Sequence, residues 1–135
     1  MLITGTFDVV LTPVDAYAKG INGVNLGRMT LDKTFYGDLA AKSQGEMLSA
    51  MTSIKGSAGY VAIEQVVGAI SGKQGSFVLQ HFGMMNDGLD RLVLEIVPNS
   101  GAGELSGIAG TMTIKMDNGQ HFYELDYELD SPMAP

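Results

Sequence analysis

Polar and apolar residues alternate with a period of two along most of this chain, the spacing that places side chains on opposite faces of a β-strand. Ile3 to Leu11 puts Ile3, Phe7, Val9 and Leu11 on one side and Thr4, Thr6 and Asp8 on the other. From Arg28 to Asp38, Met29, Leu31, Phe35 and Gly37 share a face; Lys33 interrupts it and is expected to reach toward a rim. Gly45 to Ile54 reads as a mixed strand, with Glu46 and Leu48 opposite Met47 and Ser49. Tyr60 to Ile70 is apolar on both faces apart from Glu64 and Gln65, which predicts a strand covered on both sides. Gly75 to Met84 sets Phe77, Leu79, His81 and Gly83 against Ser76, Val78, Gln80 and Phe82.

Leu89 to Pro98 sends Leu92, Leu94 and Ile96 inward and Arg91 and Glu95 outward. Glu104 to Met116 passes through Gly107 and Gly110 before Met112, Ile114 and Met116 settle on one face. The last strand aligns His121, Tyr123, Leu125, Tyr127 and Leu129 against Glu124, Asp126 and Glu128. Turn residues punctuate these segments: Ser71 to Gly75, Asn86 to Gly88 and Asn118-Gly119, the last being the strongest hairpin signal. Thr12 to Leu26 is the one long connection, with a single helical turn expected over Asp15 to Lys19. Eight strands joined by short turns, with no segment left for a crossover helix, predict an all-β chain folded as one antiparallel up-and-down barrel. An open sandwich is the alternative. The barrel is expected to be a single domain over residues 1–135, with 131–135 as a loose tail.

Composition sharpens this picture. Eighteen glycines against four prolines suit tight turns and bulges. A net charge of -7 argues against nucleic acid and anionic membrane as partners, since both need a basic surface. The chain lacks cysteine, which removes disulfides and thiolate chemistry. Its N-terminus has no basic region before an apolar stretch, and no run approaches the roughly 20 apolar residues of a membrane helix, so a cytoplasmic location is expected.

Several segments resemble an uncharacterised bacterial domain-of-unknown-function family. They are Gly-Asp-Leu at 37 to 39, Gly-Glu-Met-Leu at 45 to 48, Gly-Tyr-Val-Ala at 59 to 62, Gly-Ser-Phe-Val-Leu-Gln-His at 75 to 81 and Val-Pro-Asn-Ser-Gly-Ala-Gly-Glu-Leu-Ser-Gly at 97 to 107, with His121, Tyr123 and Tyr127. Ala102 departs from the threonine expected in that glycine loop. The resemblance implies a small barrel similar in fold to plant allene oxide cyclase and no established activity.

Chemistry has few candidates. Glu64 breaks an apolar strand, and burial there would raise its pKa toward the range of a general acid or base. His81 and His121 fall on inward faces, so the candidate catalytic residues are Glu64, His81 and His121. A ligand wall is expected from Tyr60, His81, Glu104, His121, Tyr123 and Tyr127; for Glu104, pinning of its glycine loop is the plainer role. The plainer reading of each histidine is a hydrogen-bonded residue inside the barrel. Metal-ligand spacings such as His-x-His are absent, so neither metal nor cofactor is expected. Ser106 does not sit in Gly-x-Ser-x-Gly, and Gly68 to Lys73 is short of a phosphate loop. The reading that follows is a barrel binding a small hydrophobic or amphipathic molecule, with an isomerase or cyclase-like enzyme, or a structural module, as alternatives. Val, Phe and Ile on the outward faces of Tyr60 to Ile70 and Gly75 to Met84 predict a homo-oligomer.

Overall fold

The computed structural model describes residues 1–129, so the expected tail at 131–135 lies outside the described residues. The strands are β1 (Leu2–Val14), β2 (Asn25–Gly37), β3 (Leu39–Met51), β4 (Ala58–Ile70), β5 (Lys73–Asn86), β6 (Leu89–Ile96), β7 (Ala102–Gly103), β8 (Ala109–Asp117) and β9 (Gln120–Glu128). Antiparallel pairing runs in chain order from β1 to β6, continues through β8 to β9, and returns from β9 to β1. The result is a closed eight-stranded barrel. The extra strand β7 pairs with Gly75 and Ser76 of β5, below the end of β6. Closure joins the first and last strands of the sheet, pairing Leu2 to Phe7 of β1 with His121 to Asp126 of β9.

Three hairpins are closed by two-residue turns whose residues both have positive φ: Ser71-Gly72, Asp87-Gly88 and Asn118-Gly119. That mirror-image turn matches the twist of the strands it joins. The seams differ in extent. β8 and β9 are in register from Ala109↔Glu128 to Asp117↔Gln120, whereas β6 and β8 share one registered pair, Glu95↔Thr111.

Two expectations about local structure are corrected. The third strand begins at Leu39 and ends at Met51, not at Gly45 and Ile54, because Gly37 at φ 104 lets the chain reverse within Gly37-Asp38. Thr52 then starts the next turn, its hydroxyl donating to the Ser57 carbonyl at 2.7 Å. No helical turn forms at Asp15 to Lys19; this stretch is irregular, with an exposed Lys19–Asp15 ion pair. An isolated turn has too few hydrogen bonds to offset the cost of nucleating it.

One end of the barrel, called lower here, carries the β2–β3 and β4–β5 turns; the upper end carries the β3–β4, β5–β6 and β8–β9 turns. Inward side chains pack the lower half tightly: Phe35, Val66, Phe77, Leu79 and Leu125 are all buried. Leu105 and Ile108, from the loop after β7, are buried against the same cluster and stopper that end.

Tyr123 latches the lower end. Its hydroxyl accepts from the Leu39 amide at 3.0 Å and donates to the Tyr36 carbonyl at 2.9 Å, tying β9 to the β2–β3 turn. Gly5 makes room for it, since a side-chain carbon there would collide with the Tyr36 carbonyl and the Tyr123 hydroxyl. Tyr123→Phe orphans a buried amide and is expected to cost about 1–3 kcal/mol with the fold retained, checked by urea unfolding. An unchanged midpoint would show that the latch contributes nothing.

Candidate functional site

Four consecutive strands each contribute one polar side chain to a single buried cluster at mid-height. Lys33 comes from β2, Ser43 from β3, Glu64 from β4 and His81 from β5. The alternation that buries Phe35, Ala41, Val66 and Leu79 sends these four into the lumen as well. Glu64 Oε2 accepts from Lys33 Nζ at 2.8 Å and from His81 Nε2 at 2.5 Å, while Oε1 accepts from Ser43 Oγ at 2.6 Å. Glu64 is 0% exposed, and every buried polar side-chain atom among the described residues has a partner.

Burial by itself pushes the Glu64 carboxyl up. The His81 hydrogen bond, the Lys33 charge and hydrogen bond and the Ser43 hydroxyl together outweigh it and hold the group at about 2. Glu64 is therefore ionised at neutral pH, which corrects the expectation of a raised pKa. The apolar strand around Glu64 carries no trace of the His81 and Lys33 donors that reach it from β5 and β2. Lys33 is also corrected: its ammonium turns inward, not toward a rim, and lies 4.7 Å from the Phe7 ring centre and 5.7 Å from that of Phe35.

The cluster extends sideways through aromatic contacts. His121 stacks on Phe7 with ring centres 4.8 Å apart, and Tyr60 tilts against His81 at 6.1 Å. Gly83 lies opposite Tyr60 in the ladder, and a side-chain carbon there would strike the Tyr60 ring. Glycine thus lets the phenol lie flat across β5. Burial, with the Glu64 charge behind it, pushes the Tyr60 phenol up, so it stays a hydrogen-bond donor.

Above this layer the lumen opens. Leu11, Met85, Leu92 and Met116 share strand parity with buried inward residues, yet are 44%, 40%, 38% and 59% exposed. Met29, Met47 and His121 are half-buried on the same inner face. The barrel is thus a funnel over a charged floor, with a packed base beneath. A depression on the outer wall near Asp32, Lys42, Gln44 and Gln65 also has Lys33 and Ser43 in its lining.

The expected site residues separate along the barrel axis. Tyr60, His81 and His121 line the upper half, with Glu64 as floor. Tyr123 is the lower latch and Tyr127 lies in the lower core, where its backbone accepts from the N-terminal amine at 2.6 Å. Glu104 is in the lower loop, its carboxylate accepting from the Gln74 amide at 2.9 Å, which is the pinning role. Lys33 and Ser43 are the residues the sequence reading missed. For Lys33 the signal was its inward parity between Leu31 and Phe35; for Ser43 there was none until β3 is started at Leu39.

Residues 3–127 match the family model described as Protein of unknown function (DUF3224). The chain belongs to this family. A crystal structure of a protein with unknown function from the DUF3224 family, from Shewanella oneidensis MR-1, is 69% identical, covers 97% of this chain and 98% of that one, and superimposes with a TM-score of 0.95. Comparison with curated proteins found no match. The DUF3224 barrel thus comes with a fold and no assigned chemistry, and its geometry has to supply the reading.

Glu64→Gln is expected to cost about 3–5 kcal/mol at pH 7, because Lys33 stays buried without its counter-charge. The folded-state pKa lies below the ordinary 4.5, so the carboxylate's contribution is complete above pH 4.5 and is lost as pH falls toward 2. Urea unfolding of both proteins should show the gap narrowing through that window. A gap independent of pH would mean that these partners do not hold Glu64 ionised.

Proposed function

We propose that this barrel binds a small amphipathic molecule in its upper funnel, apolar body against the methionine and leucine wall and polar end toward Tyr60, His81 and His121. The observation that carries this reading is the set of inward apolar side chains left accessible at one end only, Leu11, Met85, Leu92 and Met116, directly above a charged layer. Concave apolar surface with a few convergent polar groups is what a small-molecule site requires. Unbranched methionine adapts to ligand shape.

Selective ¹³C-methyl labelling of methionine gives a direct test. Titration with 1-anilinonaphthalene-8-sulfonate should shift the methyls of Met29, Met47, Met85 and Met116 and leave the buried Met112 unmoved. Shifts confined to the outward-facing Met84, or none at millimolar probe, would defeat the reading.

The same reading places a second copy of the chain against the outer wall. Leu48, Val61, Phe82 and Val93 stand side by side across β3 to β6, at exposures of 55%, 49%, 40% and 43%. Arg91 lies one step above this row, its guanidinium 5.5 Å from the Phe82 ring, and Glu95 lies one step below on the same strand. A two-fold axis running across the strands along the row sets each Arg91 opposite Glu95 of the second copy and packs the apolar row on itself. Sedimentation equilibrium is expected to show a dimer that Phe82→Glu dissociates. A monomer at tens of micromolar would exclude this partner.

A further inference from the structure

His81 and Tyr60 each present one polar atom that no described residue occupies. His81 Nε2 is committed to Glu64, and its Nδ1 makes no hydrogen bond within the described chain. The Tyr60 hydroxyl makes none either. Both residues are at least half-buried, and no polar atom among the described residues is both buried and unpartnered. These two atoms therefore touch accessible space, and strand parity turns both side chains into the lumen.

The arrangement around His81 has a chemical direction. An ionised Glu64 can only accept, so the ring proton of a neutral His81 sits on Nε2 and the lone pair is on Nδ1. Lys33 and Ser43 take two further acceptor sites of the carboxylate, which is sealed from solvent, so it orients the imidazole and does not itself collect a substrate proton. The phenol of Tyr60, its ring centre 6.1 Å from that of the imidazole, supplies a neighbouring donor. A base and a hydrogen-bond donor facing one apolar chamber are the two parts needed to remove a proton next to a carbonyl.

We propose that His81 is a general base and Tyr60 an oxyanion donor for proton transfer at carbon α to a carbonyl, the substrate class being small amphipathic ketones. The inference rests on the funnel as the binding site. In the step, Nδ1 takes the α-proton, the C–H electron pair becomes the C=C bond of an enolate, and the carbonyl oxygen takes the charge under the Tyr60 hydroxyl. Return of the proton from the imidazolium to the same carbon gives exchange; return to the far carbon of a β,γ-unsaturated ketone gives the conjugated isomer. No oxidant, metal or co-reactant enters. Glu64 is a positioning residue.

The test uses 2-indanone in D₂O, with proton NMR following loss of its methylene signal and the labelled methionine methyls reporting occupancy. Wild type is expected to shift the Met29 and Met47 methyls and to accelerate exchange above buffer. His81→Gln should retain those shifts and lose about 10²-fold or more of the rate. Added imidazole should restore part of it, which a merely structural role for His81 would not allow. Tyr60→Phe, at a partly open position where folding is less at stake, should lose about 10²-fold of the rate with the shifts preserved. Methyl shifts without accelerated exchange overturn the proton-transfer inference and leave the funnel reading standing. Exchange that survives in both variants overturns the assignment of these residues, and absence of both shifts and exchange overturns the inference together with the funnel.

Discussion

A carboxylate sealed inside an apolar barrel needs compensation on every lone pair it exposes, and Glu64 receives it from three other strands. Lys33, Ser43 and His81 arrive from β2, β3 and β5, so a single anion fixes the mutual height of four neighbouring strands. A slip of one residue in any of these ladders would turn a donor to the outside and leave charge buried alone. Such pairs add little net stability over well-packed apolar groups, while breaking them is costly. The cluster therefore acts on register more than on total stability. Phe7, one of the two rings flanking Lys33, also stacks on His121 and carries this constraint around the lumen toward β1 and β9.

The charged layer also divides the interior by function. Below it, side chains from every wall interlock and the loop carrying Leu105 and Ile108 stoppers the end. Above it, the same inward parity continues with nothing to pack against. A rigid base and an accessible chamber thus come from one repeating pattern, interrupted at four positions.

Much of this was legible in the sequence. Period-two alternation located most of the strands and the inward faces of β4, β5 and β9, and the glycine turn pairs marked the hairpins. The resemblance carried by the Gly75 to His81 and Val97 to Gly107 segments pointed to a family that the family model and a 69% identical structure bear out. What escaped was non-local. Leu39 to Gln44 reads as neither strand nor loop because Ala40, Ala41 and Ser43 carry weak β preference, and only pairing with β2 and β4 makes them extended. The direction of the Glu64 shift depends on His81 and Lys33, which meet the carboxylate from β5 and β2 only once those strands have paired. Tyr123 and Tyr127 share a face with His121, so alternation grouped them, although position along the strand places them at the opposite end of the lumen. The two-residue strand β7 is too short to leave any periodic trace.

The sparse pairing of β6 with β8 gives the wall an unequal strength around its circumference. Because every other joint of the eight-stranded wall is laced by a longer ladder, local opening costs least along this line, where β6 and β8 can part without unlacing the rest. The cylinder resembles a rolled sleeve fastened by one stud. Opening along that fastening leaves the Glu64 cluster intact, because β2 to β5, which supply it, take no part in the joint.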